Sequence, residues 1–310
     1  MKLFVSSLAF FTLSTTAGAE VLKSSQDAAK EAHMANINAL LIFTSQDGLN
    51  SGLFRFTKAD ADMRIFNFPF LHHFKSQKRW NYFVVGNVGY SRVTTTKDFI
   101  SVSGLELASD THLQTYTGGI GGGVRYEIFE RASVMGGLEL IYSRSGVSLK
   151  QQESSVSDPV EDFFGQKFND NISYKLFFEA SYEPDIEYFK PYVKFGYKFF
   201  DTKSDMGIKD LTGFTTQSSL FSIRFGGTSD PLFAAEYGFF TLGAYLNANY
   251  LAGDVVKSVD FEAYSKVGTI LHLYHNYSPS WIERYFLEVS TINTNGLEGY
   301  NVGLGFSLNF

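Results

Sequence analysis

The chain has 310 residues, with 26 Lys and Arg against 32 Asp and Glu, for a net charge of −6. It has no cysteine, which excludes disulfides, iron–sulfur clusters and thiol nucleophiles and fits passage through an oxidising periplasm. The acidic balance excludes a nucleic-acid partner, which needs a basic face, and no apolar run past Ala19 is long enough for a transmembrane helix.

Met1 to Ala19 reads as a secretory signal. Lys2 is the positive region, Leu3 to Leu13 the apolar one, and Ala17-Gly-Ala19 gives a small-x-small cleavage pattern. Residues 1–19 are therefore expected to be removed.

Residues 20–36 differ from everything that follows. They are rich in helix formers, with Ser24 or Ser25 available as a cap and Asp27 in the first turn. Ala28, Ala32, Ala35 and Ala39 repeat at helical spacing. A helix of about 12 residues is marginal alone in water, so it is expected to rest on something.

From residue 37 to 310 the chain alternates with period two in segments of about ten residues. The clearest expected strands are Asn81–Thr94, Thr111–Phe129, Ala132–Arg144, Ile172–Tyr182, Phe189–Phe200, Phe214–Phe225, Phe233–Tyr250, Glu262–Tyr274, Trp281–Ser290 and Leu297–Phe310. Two more are expected earlier, at Ile37–Thr44 and Ala61–Leu71, with G-L-F-R-F-T between them extending either. Twelve is an even number, which lets a barrel close with both ends on one side. Alternate connections sort by length. The expected outer loops run 95–110, 146–171, 201–213, 251–261 and 291–295, and the short expected turns include Glu130-Arg131, 183–187 and 227–232.

The faces sort too. In the sixth strand Tyr174, Leu176 and Phe178 share one side; Ser173, Lys175, Phe177 and Glu179 share the other. In the next, Lys190, Lys194 and Lys198 lie together. A charge facing lipid at mid-bilayer costs about 2–4 kcal/mol, so these residues are assigned to the inside. The expected lumen-lining charges are Arg125, Glu127, Glu139, Lys175, Glu179, Lys194, Lys198, Arg224, Lys266 and Glu288. Both signs occur in similar number, which favours a mutual ion-pair network over a selective pore. Tyr90, Tyr116, Tyr126, Tyr142 and Tyr182 at strand ends suggest an aromatic girdle. The fold class is all-β: an antiparallel barrel of about 12 strands with the short N-terminal helix in its lumen, transmembrane by the resemblance that its last strand carries, with a soluble β-sandwich or lipocalin-like barrel as the alternative reading of the same alternation.

Other signals are weak. Gly119, Gly121 and Gly123 lie in a strand without a phosphate-loop motif, and read as space inside the wall or a bend in it. His72-His73 and His272 with His275 fall near turns without metal-ligand spacing, and read as surface residues. Asp47, Asp60 and Asp62 do not form a calcium loop. His112 with Asp110 is the one His–Asp pair at the outer rim. No metal, cofactor or catalytic set is expected.

The last stretch, G-Y-N-V-G-L-G-F-S-L-N-F, ends on Phe310 with Gly305 and Leu308 upstream. It resembles the C-terminal signal of bacterial outer-membrane barrels. With the secretion signal, the helix and about twelve strands, the chain looks like the translocator domain of type V autotransporters. More narrowly, it resembles the solitary autotransporter-like barrels of Gram-negative bacteria, which have no passenger domain. The resemblance implies an outer-membrane location, a plugged or narrow pore with a structural or interaction role, and delivery to the barrel-assembly machinery through the C-terminal strand. It also implies contact with outer-membrane lipid and lipopolysaccharide, and a monomer. Two alternatives stand beside it: a small porin for polar solutes, and an omptin-like rim hydrolase using Asp110 and His112.

Overall fold

The computed structural model describes residues 49–57, 61–74, 79–98, 108–151, 168–184, 186–205, 213–235, 238–275 and 282–308, with residues 34, 37, 38 and 41–43. The expected signal segment, most of the expected helix, and Phe310 lie outside the described residues.

Among the described residues thirteen strands follow in order: β1 Leu49–Phe56, β2 Ala61–Phe74, β3 Trp80–Asp98, β4 Ala108–Phe129, β5 Ala132–Gln151, β6 Phe168–Tyr182, β7 Phe189–Asp205, β8 Phe214–Ser229, β9 Phe233–Ala235, β10 Gly238–Gly253, β11 Ala263–His275, β12 Ile282–Thr294 and β13 Leu297–Leu308. One short helix, α1 (Asp254–Val259), joins β10 to β11. Each strand pairs antiparallel with its neighbour, β1 pairs with β13, and β10 pairs with both β8 and β11. The ring closes with twelve strands; β9 sits outside it, paired only to β10. One end of the barrel carries the connections 57–60, 99–107, 152–167, 206–212, α1 and 295–296, and is called the loop end. The other, with turns such as Glu130-Arg131, is the turn end.

The alternation becomes a wall with two faces. Outward positions carry Val88, Ile120, Leu138, Leu140, Leu176 and Val289, all exposed. Aromatics bracket this band. The rings of Tyr90 and Tyr116 meet at a tilt, 5.1 Å apart, towards the loop end, and those of Trp80 and Tyr126 likewise at 4.5 Å towards the turn end. Trp80 to Tyr90 is ten residues, which at a tilt of about 40° rises about 25 Å, the height of an outer-membrane barrel's apolar band.

Three expectations are corrected. Ile37–Thr44 is not a strand: residues 37, 38 and 41–43 are helical, and the wall begins at Leu49, just before the G-L-F-R-F-T stretch, which belongs to this first strand up to Phe56. Met34, Ile37, Asn38, Leu41 and Ile42 fall at i, i+3, i+4, i+7 and i+8, one face of a helix. Phe233–Tyr250 is not one strand: Phe233–Ala235 folds back onto Gly238–Phe240. The fold-back passes Gly238 at φ 149°, where a side chain would run into the Tyr274 carbonyl. The outer loops are shorter than expected, because β3, β4 and β5 run on as a paired ladder to Asp98, Ala108 and Gln151. Their extra residues include Thr95 and Thr96 on β3 and Ser148 on β5, which stay paired in the ladder.

Candidate functional site: the occupied lumen

A barrel of eight strands fills with its own side chains, and one of sixteen holds a water channel. Twelve strands leave an intermediate lumen, and this one is filled in two ways.

At the loop end the filling is apolar. Ile37, Leu41, Ile42 and Phe43 are buried inside the ring. They pack on Phe54 and Phe56 of β1, Met63 and Ile65 of β2, and Leu251, Tyr264, Ile292 and Leu297 of β10 to β13. Phe43 stacks on Phe54 at 5.0 Å and lies 5.7 Å from Tyr264. Helix α1 adds Val255 and Val259 to the same core from the mouth. Each such side chain contributes about 1.5–3 kcal/mol on burial, which offsets the cost of holding a short helix.

The opposite wall of the same half is polar. Ser91, Thr115, Ser143, Ser145, Asn171, Ser173 and Thr202 point inward from β3 to β7 and are buried. Several satisfy one another: Thr115 Oγ1 donates to Ser145 Oγ at 2.9 Å, and Thr202 Oγ1 to Ser173 Oγ at 2.8 Å. The helical segment matches this division. Among its described residues the buried polar one, Asn38, accepts hydrogen bonds at Oδ1 from Thr216 Oγ1 at 3.1 Å and Ser218 Oγ at 3.2 Å, both on β8.

At mid-height two polar straps cross the wall. In the first, Lys175 on β6 donates to Glu139 on β5 at 2.8 Å, and Asn87 on β3 donates to the other oxygen of Glu139. Glu139 and Lys175 are 2% and 7% exposed. Asn87 reaches Glu139 over β4 because Gly119 lies between them; a Cβ there would stand 2.6 Å from Glu139 Oε1. An aromatic strap lies nearer the turn end. Phe83, Gly123, Gly137 and Phe177 form one row across β3 to β6. The two rings meet at 5.9 Å above the glycines. The space inside the wall that the sequence reads at Gly119 and Gly123 is thus taken by side chains of neighbouring strands.

In the second strap, Glu288 on β12 accepts from Lys266 on β11 at 2.9 Å and from the Tyr245 hydroxyl on β10. Tyr245 crosses β11 over Gly268. The Arg224 guanidinium lies 3.7 Å from the Tyr245 ring centroid and 4.0 Å from Glu288 Oε2. Below the straps the interior is wetter: Lys194 and Glu179 pair at 3.7 Å with side chains 32% and 24% exposed.

The ten charged positions thus divide. Glu139, Lys175, Lys266 and Glu288 are buried in the straps, with Arg224 at the edge of the second. Glu179 and Lys194 pair below, and Lys198 is half-buried on β7. Arg125 is half-buried and Glu127 exposed near the turn end, where Asn81 donates to it at 3.2 Å. The surface reading of the histidines fails for His272, which is buried facing inward between Tyr274 and Phe286. His112 is also buried, with Nδ1 3.1 Å from Thr94 Oγ1; the Asp110 side chain lies outside the described residues. Gly305 sits under the Phe286 ring, which a Cβ there would strike; the Leu308 side chain is outside the described set. Asn38, Tyr245, Phe83 and the small polar wall carry no motif. Only the i, i+3, i+4, i+7 spacing from Met34 signals the helix face.

No family model matches the chain, and no curated protein matches it. Solved structures do. The β domain of the Bordetella autotransporter BrkA superposes with a TM-score of 0.53 at 8% identity, covering 84% of this chain and 96% of that one. The translocator domain of NalP from Neisseria meningitidis gives 0.55 at 12%, covering 94% and 99%. The transport unit of AIDA-I from Escherichia coli gives 0.55 at 9%, covering 91% and 98%. At this identity the likeness is one of fold, and the twelve-stranded ring described above has the architecture of an autotransporter translocator barrel.

Proposed function

We propose that the chain is an integral outer-membrane barrel of the autotransporter-translocator type, held closed by its own helical segment, with the loop end outward. It serves as a membrane anchor that presents the extended β3–β5 ladder outside the cell. The observation that carries this reading is the apolar core formed inside the ring by Ile37, Leu41, Ile42 and Phe43 with the wall and α1. Such a core, packed from aliphatic and aromatic side chains inside the ring, supports a bore closed to water and ions. The porin reading draws its support from the half-exposed Lys194–Glu179 pair, but that lies on the turn side of the filling.

Single-channel recording in a planar bilayer tests this. The full chain is expected to be quiet. The variant Leu41→Asp/Ile42→Asp, which puts two charges into the apolar core, is expected to show stepwise openings. Steady conductance from the full chain would replace the plugged barrel with the porin.

A further inference from the structure

The outward face of β2 to β5 carries a feature the closed lumen does not explain. On each strand, the residue one same-face step beyond the loop-end aromatic is a strong hydrogen-bond donor: Phe66 is followed by Arg64, Tyr90 by Arg92, Tyr116 by Gln114 and Tyr142 by Arg144. Arg64 and Arg92 are direct cross-strand partners, and Gln114 continues their row. Directly opposed residues on one face have Cβ atoms about 4.5–5.5 Å apart, and like charges there repel. Neither arginine makes an ion pair among the described residues, and Arg92 Nε is buried without a hydrogen-bond partner. Asp62 lies one step further along β2, opposite Thr94. Arg144 is held at the edge by Asp170 at 3.7 Å. The pattern is local to this side: the equivalent positions beyond Phe221, Tyr250 and Tyr300 are Ser219, Ala252 and Glu298.

Resting on the outer-membrane reading and its orientation, we propose that Arg64, Arg92 and Gln114 grip a phosphate of an anionic glycolipid in the outer leaflet. The aromatic row fixes their height at the boundary between acyl chains and headgroups. Two adjacent guanidiniums match phosphate geometry with paired N–H donors, and an anion between them removes their repulsion. The lipid is the source of that phosphate because the site opens sideways onto the apolar band. A ligand whose chains lie along Phe66 and Tyr90 is held twice; a free anion is held once.

The test uses the full chain refolded in detergent, checked for folding by its heat-dependent shift on a gel, and titrated with lipid A, dephosphorylated lipid A and inorganic phosphate. Lipid A is expected to bind and to raise the unfolding temperature. Arg64→Gln/Arg92→Gln is expected to weaken that binding by about tenfold or more. The control Lys203→Gln/Lys257→Gln, which removes the same charge from other loop-end positions, is expected to bind as the parent does. The single variants carry the test if the double does not fold. Equal loss in the control, equal binding of the dephosphorylated lipid, or equal protection by millimolar phosphate each overturns the site. Bilayer insertion of the same samples separates the two readings: insertion with unchanged lipid A binding sinks only this inference, and failure to insert sinks the outer-membrane reading beneath it.

Discussion

Glu139 illustrates why single residues here have large effects. Its carboxylate is buried and receives both Lys175 and Asn87. Removing one partner of a buried pair leaves an uncompensated charge and costs about 3–5 kcal/mol, whereas replacing both is often near neutral. Lys175→Met is therefore expected to lower the denaturant midpoint sharply, and adding Glu139→Gln to recover most of the loss. A denaturation series in lipid vesicles checks this; equal midpoints for the single and double variants would deny the strap its role. Gly268 gives a second case. A Cβ there would stand 2.5 Å from the Tyr245 ring, so Gly268→Ala should displace the ring from Glu288. Because the clash is with a side chain, Gly268→Ala is expected to cost little in a Tyr245→Ala background, a non-additivity a double-mutant cycle measures directly. The sequence shows which faces these charges take, because lipid forbids them the other side. It does not show who pairs with whom. Lys266 reaches Glu288 across the ladder, and such pairing depends on register, which period-two alternation leaves open to shifts of two residues.

At the scale of elements, strands were legible where lipid touches them. Between the aromatic girdles the outer face is apolar and the inner polar, so alternation marks β6 and β7 cleanly. Beyond the girdle the outer face turns polar, with Arg92, Thr94 and Gln114, and the ladder of β3 to β5 continues without the apolar outer face that marks a strand between the girdles. The reverse happened at residues 37–43. A helix face buried in an apolar lumen carries Ile37, Leu41, Ile42 and Phe43, and three adjacent apolar residues look like strand when the neighbouring segments are strands. The position of this segment is open to a direct test, since the chain has no cysteine to interfere. In Asn38→Cys/Ser218→Cys, a short bifunctional thiol reagent is expected to join the two positions in the folded protein, giving a species of altered gel mobility. Asn38→Cys with an outward partner, Phe221→Cys, is expected to give none. Linkage in the second pair but not the first would place the helix outside the ring.

The whole molecule is organised by two solvents and a third environment it makes for itself. Lipid selects the outer face, water the rims, and the lumen is a protein core turned inside a wall. Its depth in the bilayer follows from the girdles. Trp80 is exposed on the outward face at the turn end. With Trp281 replaced by Phe, its fluorescence is expected to be quenched by lipids brominated near the headgroup and much less by those brominated near the chain ends. Stronger quenching from mid-bilayer would move the band and the girdles with it.

The stacking of Phe43 on Phe54 has a consequence in time. Phe43 belongs to the filling, and Phe54 to β1, the strand that meets β13 to complete the ring. Ten residues separate them in the chain. A filling tethered this closely to the closing strand stays near it, and the Phe43–Phe54 stack forms only when both are in place. Assembly is therefore expected to have no stage at which a finished, vacant hoop waits for a stopper: sealing the circumference and stopping the bore are expected to coincide.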